Sequence, residues 1–118
     1  MQDFRNLEIY KRSIQFCTDI YKFTAILPDD EKYGLVSQIR RAACSIALNI
    51  SEGAGAGSNK EFAQFISYSY RSVNEVMTCL EIIENLKLNH EKNIDHLKKE
   101  SCELSRMIYS FFKKISGK

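Results

Sequence analysis

Three of the chain's five glycines alternate with alanine in Ser51-Glu-Gly-Ala-Gly-Ala-Gly-Ser-Asn-Lys-Glu-Phe62, immediately before a Ser-x-x-Glu helix start. Small residues that let backbone N–H groups close on an anion, followed by a helix N-terminus, are the makings of a phosphate cradle. Two templates test that chemistry. A Walker loop counted from Gly53 needs its second glycine where Ser58 stands, and Lys60 is followed by Glu61 instead of a hydroxyl. A dinucleotide loop must follow a strand, whereas the apolar residues upstream recur at helical spacing. The stretch therefore reads as a helix–helix corner, its glycines supplying positive-φ freedom and room to turn.

Other reactive residue types are as poorly arranged for catalysis. His90-Glu91 begins an H-E-x-x-H pattern, but the closing position is Ile94. The four cysteines, Cys17, Cys44, Cys79 and Cys102, form no C-x-x-C pair and lie in apolar surroundings, so they read as small, inert core residues. No catalytic, cofactor-binding or metal-ligating constellation is expected, and no small-molecule substrate. The basic pairs Lys11-Arg12, Arg40-Arg41, Lys98-Lys99 and Lys113-Lys114 are the candidates for nucleic acid. Glu8 before Arg12 and Asp95 before Lys99, each at i,i+4, mark some of them as helix-surface ion pairs. A formal charge of +2, from 17 Lys and Arg against 15 Asp and Glu, is too slight to argue for a polyanion partner of one chain. Symmetric assembly would multiply a weak patch into a ring.

The elements that must carry these residues are helices. One proline in 118 residues and a persistent three-to-four apolar spacing leave no place for strands. The first helix carries two apolar stripes side by side, Leu7, Tyr10, Ile14, Cys17 and Tyr21 beside Ile9, Phe16, Ile20, Phe23 and Leu27. Together they span roughly 200°, more than packing on one side requires. Pro28 and Asp29-Asp30-Glu31 end it. A second helix, Lys32 to Ala54, has Leu35, Ile39, Ala42, Ile46 and Ile50 inward. Gln38, Arg41, Ser45, Asn49 and Glu52 line up beside that arc, as either a solvated face or a hydrogen-bonding seam of a helix or subunit contact. A third helix, capped by Ser58, runs to about Leu86, and a fourth from about Glu91 to Ile115 ends among Lys113, Lys114 and Lys118. Short connections favour an antiparallel up-down-up-down four-helix bundle, one domain over residues 1–118. The surplus apolar width predicts burial against copies of the same chain.

Leu27-Pro28, Glu31, Tyr33-Gly34-Leu35, Gln38-Ile39-Arg40-Arg41-Ala42-Ala43, Ser45-Ile46 and Asn49-Ile50-Ser51-Glu52-Gly53 resemble the 23S rRNA-intervening sequence proteins, also called the S23 ribosomal protein family. The likeness extends over almost the whole chain, through Phe4 with Leu7, Ser58 with Glu61-Phe62 and Phe65, and Ser72 with Glu75. It implies an antiparallel four-helix bundle assembling as a ring-shaped homopentamer, with no enzymatic activity. It marks Tyr33, Gly34, Gln38, Arg40, Arg41, Ser45, Asn49, Glu52 and Gly53 as signature residues for helix or subunit contact. A related branch binds a reverse transcriptase and nucleic acid through a basic pentameric barrel, and this chain is less basic. Arg71 stands where family members tend to carry glycine, which predicts a solvent-facing or subunit-boundary position.

The expectation is a cytoplasmic, non-enzymatic all-α homo-oligomer without cofactor or metal. Its partners would be itself and RNA or a nucleic-acid-processing protein, touched through Arg40, Arg41, Lys113 and Lys114. A protein-binding scaffold with no nucleic-acid contact is the alternative. No apolar run approaches the roughly 18 residues of a membrane span.

Overall fold

The computed structural model describes residues 3–90 and 92–117, apart from the Lys32 side chain. Among them there is no strand, and four helices share one apolar core: α1 (Glu8–Thr24), α2 (Ser37–Ala54), α3 (Asn59–Asn85) and α4 (Asp95–Ser116). The inward stripe of α1 is Ile9, Ser13, Phe16, Ile20 and Thr24. Its two hydroxyls turn back on their own helix, Ser13 Oγ donating to Ile9 O at 2.6 Å and Thr24 Oγ1 to Ile20 O at 2.8 Å. That local bond is what allows a serine and a threonine to be buried without penalty. The expected stripe through Leu7, Tyr10, Ile14, Cys17 and Tyr21 divides: Cys17 is half-buried, while Ile14 and Tyr21 face outward.

Between α1 and α2 the chain makes a 3₁₀ turn at Asp29–Glu31 and a π turn at Lys32–Val36. The expected single helix from Lys32 is thus regular only from Ser37. A π turn carries an extra residue in its ring, and here it leaves Leu35 half-buried while Val36 enters the core. From there Ile39, Ala43, Ile46 and Ile50, all with no exposed surface, continue the buried line.

Ser58 caps α3 as expected, extended at φ −154° and ψ 161°, its Oγ accepting from Glu61 N at 3.1 Å. The other end of α3 closes in a Schellman arrangement that the sequence concealed. Leu88 N donates to Ile83 O and Lys87 N to Glu84 O, both at 3.0 Å, around a left-handed Lys87 at φ 58°. Glycine normally marks that position, and a lysine gives no signal. His90 is also left-handed, at φ 53°. The expected α4 start at Glu91 lies outside the described residues; the helix itself begins at Asp95, with Asn93 Oδ1 accepting from Asp95 N at 2.8 Å. Lys118 also lies outside them.

Contacts between helices pair residues in opposite order along each neighbour. Cys17 meets Cys44 and Tyr21 meets Arg40 across α1 and α2. Across α2 and α3, Gly53 lies against Phe65, Ile46 meets Ser69, and Gln38 meets Glu75. Phe62 touches Phe111, and Glu84 pairs with Lys98, across α3 and α4. Arg12 on α1 reaches Glu103 on α4 at 3.1 Å, and Asp19 lies beside Glu100.

Candidate interaction surface

The signature residues of α2 divide between its two sides. Gly53 is buried at the α2–α3 corner, where a Cβ built on it would lie 2.7 Å from Phe65 Cβ and 2.8 Å from Phe62 Cδ1. No side chain fits between those helices. The room expected of the corner glycines is therefore real at Gly53, but the expected positive φ is not found: Gly55 sits at φ −86°, and among the described glycines only Gly117 is left-handed. Gly34 has no such crowding, its nearest neighbour to an added Cβ being Glu31 Oε2 at 3.8 Å.

Arg40 turns toward α1. Its Nε donates to Thr24 Oγ1 at 2.8 Å, its Nη2 donates to Tyr21 O at 3.2 Å, and its guanidinium carbon lies 4.5 Å from the Tyr21 ring centroid. The cation thus adds a bond to a carbonyl that already accepts from Ala25 N, in the last turn of α1, where the helix dipole favours positive charge. This is an architectural use of a residue singled out as a nucleic-acid contact. Arg41, the next residue, is exposed.

The polar stripe is partly satisfied within α2 itself. Asn49 Nδ2 donates to Ser45 O at 2.9 Å and to Ser45 Oγ at 3.0 Å, and both residues are half-buried. Gln38 Nε2 reaches Glu75 Oε2 on α3 at 3.5 Å, a long bond on an exposed edge. Glu52 is exposed, as is Tyr33, which keeps 90% of its surface. Leu48, one turn from Ser45 and Glu52, keeps 62%. Ile14 at 45% and Tyr21 at 41% flank Cys17 by one helical turn each on the α2-facing edge of α1. An apolar strip therefore runs across the outer surface of α1 and α2.

Lys113 and Lys114 are exposed in the last turn of α4. Ile115 lines the same depression as Gly53, Ser58 and Phe62, so this turn ends beside the glycine corner. Arg41 is twelve residues before Gly53, about 18 Å of helix, so the named cations do not form one patch. What accompanies the lysines is an aromatic cluster that spacing did not reveal. Tyr109 stands 5.9 Å from Tyr70 and 6.4 Å from Phe112 between ring centroids, the latter pair nearly parallel at 22°. Lys113 Nζ lies 5.8 Å from the centroid of the Tyr109 ring, which is half exposed. Arg71 is exposed over Tyr68 at 5.8 Å, in keeping with an outward position.

Among the described residues one group with metal-ligand residue types is brought together. Ligand atoms of Asp19, His96 and Glu100 all lie within 4.8 Å of one another across α1 and α4. Gln15 Nε2 donates to Asp19 Oδ1 at 3.0 Å, and His96 Nε2 lies 3.2 Å from Glu100 Oε1, so the carboxylates already have protein partners. Asp19 and His96 come from different helices 77 positions apart, a convergence no local spacing could signal. Among the described residues no helix is long and apolar enough to cross a membrane.

No curated protein matches the chain significantly. A solved crystal structure does: a protein of unknown function from the S23 ribosomal protein family, from Bacteroides thetaiotaomicron VPI-5482. It is similar at 23% identity with a TM-score of 0.78, over 89% of this chain and 98% of that one, a likeness of fold. The family model for the 23S rRNA-intervening sequence protein matches residues 5–110. With nearly the whole chain matched by that model, this protein belongs to the 23S rRNA-intervening sequence protein family.

Proposed function

We propose that the chain is a non-enzymatic adaptor, an antiparallel up-down-up-down four-helix bundle whose single domain assembles into a ring-like homo-oligomer and holds RNA or a ribonucleoprotein. The opposite-order pairings at all four helix contacts support the topology. Assembly is carried by the apolar strip of Ile14, Tyr21 and Leu48, surface that a soluble monomer ordinarily buries. Five subunits is the number that the family resemblance implies. The family's name points toward rRNA genes, and the observation that favours an RNA partner is the Tyr109, Phe112 and Lys113 cluster with Lys114 beside it. Aromatic faces for stacking next to ammonium groups for phosphate make a platform for single-stranded nucleic acid. Repetition around a ring would supply the basic density one chain lacks.

Sedimentation tests assembly: a mass equal to one chain at micromolar concentration overturns it. Binding of a single-stranded RNA in a salt series tests the ligand. Affinity should fall as salt rises, because lysine–phosphate contacts release counterions, and Tyr109→Ala should weaken it by roughly 1–3 kcal/mol per stacked base. Absence of binding at low salt overturns the RNA reading.

A protein-binding scaffold is the second reading, favoured by the near-balanced charge and the 62% exposure of Leu48. A discrete protein partner that stays bound through nuclease treatment, combined with no RNA affinity, would select it.

A further inference from the structure

Cys17 on α1 and Cys44 on α2 are 27 positions apart in sequence, yet their Sγ atoms lie 3.5 Å from each other. Both are half-buried, so the side chains are restrained by packing while a small reagent can still reach them. Tyr21 Oη lies 3.5 Å from Cys44 Sγ, and Arg40 holds its guanidinium over the Tyr21 ring, placing a phenol and a cation on the same face as the two sulfurs. Cys79 is buried and Cys102 exposed, on α3 and α4. The spacing of the four cysteines gave no reason to pair any of them.

We propose that Cys17 and Cys44 form a thiol–disulfide exchange site that a low-molecular-weight disulfide oxidises, fastening α1 to α2. The sulfur of one protein thiolate attacks a sulfur of the small disulfide, forming a mixed disulfide and expelling one small thiolate. The second protein thiolate attacks the protein sulfur of the mixed disulfide, closing the Cys17–Cys44 bond and expelling the second small thiolate. The two protons lost by the protein are taken up by the two departing thiolates. Two protein thiols are oxidised and one small disulfide is reduced to two thiols. Burial, and then the neighbouring Cys44 sulfur, push the Cys17 thiol up to about 12, so little of it is thiolate near neutral pH and it is a poor first nucleophile. The bond would remove the Cys44 thiol hydrogen, leaving that sulfur only an acceptor toward the Tyr21 hydroxyl.

The test equilibrates the folded Cys102→Ser chain in glutathione buffers of increasing oxidised fraction, alkylates the remaining thiols in acid-quenched samples, and maps the peptides by mass. Equilibrium is read rather than rate, so slow access of the small disulfide within an assembly delays the bond without preventing it. The expected result is a peptide pair joined through Cys17 and Cys44. The oxidised chain should melt about 5–10 °C higher, because the bond restricts the unfolded chain. Cys44→Ser should abolish both effects, and peptide mapping of the unsubstituted chain decides the question equally well should that variant fail to fold. Both thiols still alkylated at the most oxidising ratio, glutathione attached without an internal bond, or the bond found only in urea would each overturn the proposal.

Discussion

Along α2, the side turned to α3 and the side turned outward hold their residues by different means. Inward, Ile39, Ile46 and Ile50 have no exposed surface, Ser69 of α3 donates its hydroxyl to Ile46 O at 2.8 Å, and Gly53 leaves no space for a methyl group. Each residue there is specified by the shape of its neighbours. Outward, Arg41, Leu48 and Glu52 are exposed, the leucine keeping 62% of its surface. One helix thus serves two ends. Its inner side needs only volume and smoothness, whereas its outer side carries the charged and apolar groups that the proposed assembly would cover.

That contrast can be broken experimentally, most strongly from the inside. Ile46→Ala removes fully buried methyl groups where the surroundings are tightly packed, and should cost about 3–4 kcal/mol, read as a lower urea midpoint at unchanged slope. Gly53→Ala should cost about 2 kcal/mol, because its new methyl meets a Cβ rather than a flexible chain end. If either variant melts like the parent chain, the inner side is not a rigid seam.

Arg40→Ala and Arg41→Ala sharpen the comparison with adjacent residues of one type. Loss of the Arg40 bonds to Thr24 and Tyr21 should cost roughly 1.5–3 kcal/mol, with Arg40→Lys restoring part of it, while Arg41→Ala should stay within about 0.5 kcal/mol. Equal effects would erase the distinction between an arginine that caps α1 and one that faces out. Leu48→Asp should likewise leave the chain's own unfolding within about 0.5 kcal/mol yet abolish assembly by sedimentation. A variant that loses stability but still assembles would place Leu48 with the core instead.

The smallest effects lie at the edges. Lys87→Gly should stabilise by about 1 kcal/mol, since the left-handed backbone there disfavours a side chain. The raised thiol of Cys17 adds a pH dependence. Its folded state keeps the proton longer than the unfolded chain, so the stability it contributes is complete below about 9.0 and is lost as pH rises toward about 12. Melting curves across that window should show the decline, and Cys17→Ser should make it shallower, leaving the share of the raised Cys79 and Tyr21.

Much of the inner architecture was legible because it depends on period and size. The steps through Ile39, Ile46 and Ile50, the alanines between them and the Ser58 cap each announce themselves within a few residues. The interaction surface was legible only in outline. Lys113 and Lys114 stand out as a basic pair, but Tyr70 and Tyr109 reach one another from different helices, and the π turn at Lys32–Val36 carries no residue type that demands it. Charge and spacing make Arg40 and Arg41 look alike, though successive helix positions point about 100° apart.

The sequence by itself determined the helical class, the corner at Gly53 and the family, since local periodicity, caps and a contiguous signature survive without knowledge of neighbours. Tertiary structure alone decided which of two adjacent arginines braces α1, which apolar stripe stays outside, and that Cys17 finds Cys44. Those outcomes depend on how far one helix is rotated against another. A rotation of one residue's worth exchanges a buried side chain for an exposed one, and nothing within either helix records it.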